Sequence, residues 1–358
     1  MAYTTINKST DYFNTKLYTG NGSTQSISSV GFQPDWVWFK NRSSSQNHRL
    51  FDAVRGAGKN LKSNDTTAEI DAGTGTSGQL RTFDSDGFSV GSDGSVNNNG
   101  ENIVAWNWKA GTTGSGYTTG TGTAKAYSYS VNTTAGFSIV KYTGNGSAGQ
   151  QIPHHLGAVP HFILLKPLDR ADNWRVYHHK LDTSSPANYQ LKLNVTNAKD
   201  SGSDVWNNTI PTSTYFTLGS NAGVVANDED FIAYCFTEKT GYSKFGSYTA
   251  NDQDYPNSPF IYTGFKPQFL LIKNIVDATS SSDWVITDNK RPGYNPTNKK
   301  IFANESQAEA TDEIANLLSN GFKLDNSTTD LNYSTRTYIY AAFGQSLVGS
   351  NNVPCTAR

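Results

Sequence analysis

One ten-residue pattern occurs three times in this chain. Gly31-Phe-Gln-Pro34 runs into Asp-Trp-Val-Trp-Phe-Lys40, Gly157-Ala-Val-Pro160 into His-Phe-Ile-Leu-Leu-Lys166, and Gly264-Phe-Lys-Pro267 into Gln-Phe-Leu-Leu-Ile-Lys273. Each glycine precedes its lysine by 9 positions. Internal repetition limits a fold more than composition does, because every copy must be able to form a similar unit.

The flanks repeat as well. Upstream stand Tyr18-Thr-Gly-Asn-Gly22, Tyr142-Thr-Gly-Asn-Gly146 and a degenerate Tyr248-Thr-Ala-Asn251. Asn-Gly tolerates the positive φ of a tight hairpin, so these read as strand, turn, strand. Downstream come His48-Arg-Leu-Phe-Asp52, Trp174-Arg-Val-Tyr-His178 and Trp284-Val-Ile-Thr-Asp288, then segments that hold Leu61, Asn64 and Ala68, Leu191, Asn194 and Ala198, or Ile301, Asn304 and Ala308 in one register. Each copy closes on an apolar strand: Ile103 to Trp108, Phe231 to Phe236, and Tyr338 to Phe343.

The expected boundaries give a first module at 1–112, a second at 125–241 and a third at 242–350, followed by a tail at 351–358. The Gly/Thr tract at 110–124 between the first two has no apolar surface to bury and is expected to be a flexible linker. Short aromatic runs punctuated by turn residues predict an all-β chain of three tandem homologous β-sandwich modules, antiparallel and jelly-roll-like. Ser306 and Glu309 have capping-box spacing, which allows one short helix over 306–318.

The combination of Tyr-Thr-Gly-Asn-Gly, the glycine-to-lysine anchor, Trp206-Asn-Asn-Thr209, Gly241-Tyr-Ser-Lys-Phe-Gly-Ser-Tyr-Thr249 and Leu318-Ser-Asn-Gly-Phe-Lys323 resembles a repeat family of marine tailed bacteriophages. That family is described as concanavalin A-like lectin or glucanase-like domains of tail or fibre proteins. The resemblance implies a particle-associated protein with a sandwich fold; fold alone does not fix an activity.

Charge and motifs narrow the function classes. A formal net charge of -1, with 16% charged residues, offers no basic field for nucleic acid, and no apolar stretch reaches the length of a membrane span. The N-terminus has no apolar core of a signal peptide, so assembly in a host cytoplasm is expected. The two cysteines, Cys235 and Cys355, read as free thiols. Five of the six histidines fall in the second copy without His-x-His or cysteine at ligand spacing, so neither a metal nor another cofactor is expected. Aspartates such as Asp84, Asp86, Asp228, Asp252 and Asp254 sit in turn sequences, and no carboxylate pair of the kind glycosidases need recurs between copies.

On a strand, alternate residues share a face, so Trp36, Trp38 and Lys40 point one way and Val37 and Phe39 the other. The lysines are expected to pair with Asp52 and Asp288 at the ends of neighbouring stripes. Asp52 with Arg55, and Asp288 with Arg291, beside Trp174 and Trp284, also form the set that a sugar site would use: fixed hydrogen bonds and a stacking face. His178 replaces the aspartate in the second copy, which would then bind poorly. The leading expectation is a non-enzymatic virion adhesin for host surface polysaccharide. The alternatives are a capsid decoration or structural joint that binds coat protein, and a polysaccharide depolymerase. Other tail or capsid proteins are the expected partners, and a homotrimer is an expected assembly.

Overall fold

Apolar runs bounded by glycine, asparagine and proline suit strands, and the chain is all-β. A computed structural model describes residues 3–277, 282–293 and 295–348; Cys355 and the tail at 351–358 lie outside the described residues. Antiparallel sheets carry the architecture, and helix is confined to brief turns such as Gly94–Asn97, Ser203–Trp206 and Ala222–Val225.

One strand order occurs in three places. In the first stretch Phe13–Thr19, Asn102–Trp108, Trp36–Asn41 and Arg49–Asp52 lie side by side in that order. The second stretch repeats it with Phe137–Thr143, Asp230–Phe236, Phe162–Pro167 and Arg175–His178. Ser243–Thr249, Thr337–Gln345, Lys266–Asn274 and Val285–Asp288 form the third. The registers correspond, since Trp36 faces Trp108, Phe162 faces Phe236 and Phe269 faces Phe343 across the same strand pair.

The two faces of each lysine-ended strand go to different cores. Val37 and Phe39 pack with Phe88, Val90 and Ile103 inside the first stretch; Ile163 and Leu165 do the same in the second, and Leu270 and Ile272 in the third. The opposite faces meet in one cluster that joins Trp36, Trp38, Phe162, Leu164, Phe269 and Leu271. Trp36 stacks on Tyr234 at 4.5 Å, and Phe13 stacks on Phe343 at 5.4 Å, so aromatic pairs cross from one stretch to another.

The expected linker and the expected helix both fail. The Gly/Thr tract is ordered strand: Thr112–Tyr117 pairs with Ala126–Asn132 at the edge of a six-stranded sheet. Its glycines make room for rings, since a Cβ at Gly114 would lie 2.5 Å from the Tyr129 hydroxyl, and one at Gly116 would lie 2.7 Å from that of Tyr127. Paired backbone and covering tyrosines supply the order that composition withheld. Residues 310–318 form a strand and not a helix, because Glu309 is held by Arg42 and Arg291 instead of capping a turn.

The lysines do not pair with Asp52 and Asp288. Lys40, Lys166 and Lys273 are fully buried, and each donates to the carbonyl of the residue after it. Each also donates across to another stretch: Lys40 to Ser306 O (3.1 Å), Lys166 to Thr66 O (3.1 Å) and Lys273 to Thr196 O (3.0 Å). First reaches third, second reaches first, and third reaches second, so the contacts close a ring. Return bonds run the other way, from the N–H of Glu69 to Leu168 O, of Lys199 to Ile275 O and of Glu309 to Arg42 O. Burial lowers these ammonium groups, Lys40 and Lys166 to about 8 and Lys273 to about 7. Substituting Lys166→Met removes the donor that Thr66 O, Pro167 O and Arg170 O share and is expected to cost about 1–3 kcal/mol in denaturant unfolding. An unchanged midpoint would show that the bond does not hold the ring.

Candidate functional site

Strand ends bring the sequence-selected residues to the seams between stretches. Trp174 and Trp284 are buried, and their indole N–H groups donate to Lys62 O (2.8 Å) and Lys192 O (3.0 Å). His48 occupies the matching place and reaches Phe302 O at 3.0 Å through Nε2. The backbone N–H of each of the three is accepted by Asn64, Asn194 or Asn304, which is the physical reason why asparagine keeps its register.

The aspartate–arginine pairs are built alike. Asp52 accepts from the backbone N–H of Arg55 and from its Nε, and Asp288 does the same with Arg291 (Nε to Oδ2 2.7 Å). Each arginine extends to a glutamate, Arg55 to Glu69 (3.0 Å) and Arg291 to Glu309 (3.2 Å), and to a strand carbonyl, Leu50 O or Ile286 O. The aspartate is completed from another stretch: Tyr234 Oη donates to Asp52 at 2.7 Å, and Trp106 Nε1 to Asp288 at 3.0 Å. Burial alone would raise the Asp288 carboxyl, yet Arg291 and these hydrogen bonds hold it below the usual range.

At the seam of the second and third stretches the network is replaced as a set. His178 stands for the aspartate, Leu181 for the arginine, Lys199 for the glutamate and Ala341 for Trp106 or Tyr234. His178 Nδ1 accepts from Lys180 N–H and its Nε2 donates to Tyr340 O (3.2 Å), while Lys199 donates to Leu181 O. No carboxylate, and so no arginine, is needed there.

None of the six residues expected to touch a ligand has a face to offer. Trp174, Trp284, Asp288 and Arg291 are buried, and the side chains of Asp52 and Arg55 are 0% and 1% exposed. Aromatic, aspartate and arginine in one neighbourhood describe a sugar site and a buried polar seam equally well, and burial assigns these residues to the seam. Partner residues such as Tyr234, Thr66 and Lys62 escape sequence reading because nothing local links them to the strand they complete. The joint loss of aspartate, arginine, glutamate and large aromatic around one seam is the signal that points to them.

Other reactive groups also serve the fold. Among the described residues no group of three His, Cys, Asp or Glu side chains is placed to hold a metal. Burial lowers His154 and His179 to about 4, and His154 Nε2 pairs with Thr212 O while His179 Nε2 pairs with Phe245 O. Asp330, raised by burial to about 6, accepts from the Asp283 N–H, and Asp283 accepts from Asn304. Burial raises the Cys235 thiol, which removes its reactivity.

Removing Asp288 by Asp288→Ala leaves the buried Arg291 with only Glu309 and Ile286 O and takes the acceptor from Trp106 Nε1, and is expected to cost about 3–5 kcal/mol in chemical denaturation. The second-to-third seam provides the complementary case. His178→Asp alone should lower the melting temperature, and adding Leu181→Arg, Lys199→Glu and Ala341→Tyr should restore part of the loss; no recovery would contradict the equivalence of the seams. The folded pKa of His179 lies below its ordinary 6.5, so the unfolded chain takes up more protons as pH falls from 6.5 to about 4, and stability falls with it. His179→Gln keeps a donor for Phe245 O and should narrow the gap between melting temperatures at pH 7.5 and pH 5.

No curated protein and no solved structure matches the chain. A family model described as Domain of unknown function (DUF7483) matches residues 8–346. The match takes in all three stretches, and the chain belongs to that family.

Proposed function

We propose that this chain is a non-enzymatic architectural protein on the surface of a tailed-phage particle, in which three tandem copies of one β-sandwich module form the single-chain equivalent of a trimer. The ring of buried lysines carries the reading: equivalent side chains from three stretches bond in a cycle that returns to its start. Cyclic heterologous contacts close when the rotation closes, and a closed three-part body presents a nearly repeated surface three times. Such a body fits a threefold or quasi-threefold position on a capsid or tail, with coat or tail protein as partner. The resemblance to phage repeat proteins supports the particle, and the single family match over 8–346 supports treating the three copies as one unit.

This reading favours a decoration or joint over an adhesin built on Asp52, Arg55, Trp174, Trp284, Asp288 and Arg291, because those residues are committed to the seams. It also makes a homotrimer unnecessary. Enzymatic depolymerisation finds no support in carboxyls that are bonded into backbone and arginine. A cryo-electron-microscopy reconstruction of particles carrying the chain provides the test. One chain centred on a local threefold axis is the expected result, and a position on a twofold axis or strung along a fibre shaft would refute the reading.

A further inference from the structure

Four of the six exposed aromatic residues among the described residues gather in one region: Tyr3 (43% exposed), Tyr255 (56%), Phe260 (45%) and Tyr262 (59%). Every tryptophan is buried, and Tyr117 and Tyr333 are the only other exposed aromatics among the described residues. Phe260 and Tyr262 are two apart on the edge strand Phe260–Tyr262 and share its outer face, with Ile261 turned inward. Lys323, cross-strand from Phe260, holds its ammonium 5.5 Å from the Tyr255 ring, which continues the row. The Phe260 ring lies over Gly321, where a Cβ would meet it at 2.8 Å.

The row ends in a polar cleft of about 420 Å³ at the meeting of the second and third stretches, lined by Tyr3, Tyr262, His161, Glu238 and Lys244. Tyr3 Oη donates to Gly264 O at 2.9 Å, which fixes its ring at the rim. Glu238 accepts from Lys244 (3.1 Å) and from the Phe245 N–H (3.0 Å). The Glu238 N–H donates to His161 Nδ1 (3.1 Å), so the neutral ring carries its proton on Nε2. At the corresponding place in the first stretch Asp35 is buried and takes the Ala110 N–H, and in the third Ser9 bonds both Gln268 and Gln345. The cleft is thus a departure from the threefold pattern and not a by-product of it.

We propose that this cleft and its aromatic row bind a saccharide chain, with the terminal sugar in the cleft against Tyr3 and Tyr262 and following units over Phe260 and Tyr255. Sugar rings offer C–H faces to aromatic planes and vicinal hydroxyls to paired donors and acceptors. The row supplies the planes, and Glu238, Lys244 and His161 supply both hydrogen-bonding roles in a cleft of ligand size. A protein partner would call for a broad apolar patch, whereas these rings stand in single file and end in hydroxyls and charges. The inference goes beyond the architectural role and does not depend on it.

Saturation-transfer NMR on the full chain tests it with maltohexaose, chitotetraose, laminarihexaose and a delipidated bacterial O-polysaccharide as probes. At least one probe should show transfer, and Tyr262→Ala should weaken its binding about tenfold, in keeping with the loss of one ring contact. Tyr117→Ala, which removes an exposed aromatic elsewhere, should leave binding unchanged. Both positions are exposed, so folding is retained and is checked by melting temperature. Transfer from no probe, equal binding by Tyr262→Ala, or a change of oligomeric state in Tyr262→Ala without loss of sugar binding would overturn the proposal. None of these outcomes bears on the position of the chain in a particle, so the two readings fail separately.

Discussion

Three sheets that each turn one apolar face toward a common centre are the constraint from which the rest follows. Trp36, Trp38, Trp106, Trp108, Phe162, Phe236, Phe269 and Phe343 have no exit to solvent except by separating the stretches. Burying a side chain of this size is worth about 1.5–3 kcal/mol, so any one stretch leaving the assembly would expose several such side chains at once. With both faces of the central sheets covered, lysine, aspartate and arginine at their ends are buried too and must find partners inside the protein. They find them across the seams, and the polar bonds then fix which stretch meets which.

Hydrophobic burial holds the stretches together, and the polar ring gives them register. The lysine-to-carbonyl bonds repeat at all three seams because every strand end leaves the same backbone oxygens facing a neighbour. The aspartate–arginine–glutamate network occurs at two seams and is absent as a set at the third, as expected where removing one charged member would leave another buried and alone.

Much of the local architecture is legible in the sequence. The glycine-to-lysine anchor marks an inner strand of each sheet, and the alternation in Trp36 to Lys40 predicts which residues face which core. Asn64, Asn194 and Asn304 keep register because each accepts a tryptophan or histidine backbone N–H. What the sequence hides is the third dimension. Trp174, Asp288 and Arg291 look the same whether they line a sugar site or a buried seam, and residues that complete them lie far along the chain. The tract at 110–124 misleads for a related reason, since glycine there is selected by the rings of Tyr127 and Tyr129 and not by a need for flexibility. Tyr262 and Phe260 carry no motif; only their exposure beside Tyr3 and Tyr255 draws notice.

The most direct measurement is native-state hydrogen exchange at residues of the shared core, one strand from each stretch: Val104, Leu164 and Leu271. If one apolar centre joins the three sheets, their amides exchange through a common opening and share one free energy as denaturant is added. Three separate free energies, or one stretch that opens while the others stay protected, would contradict it.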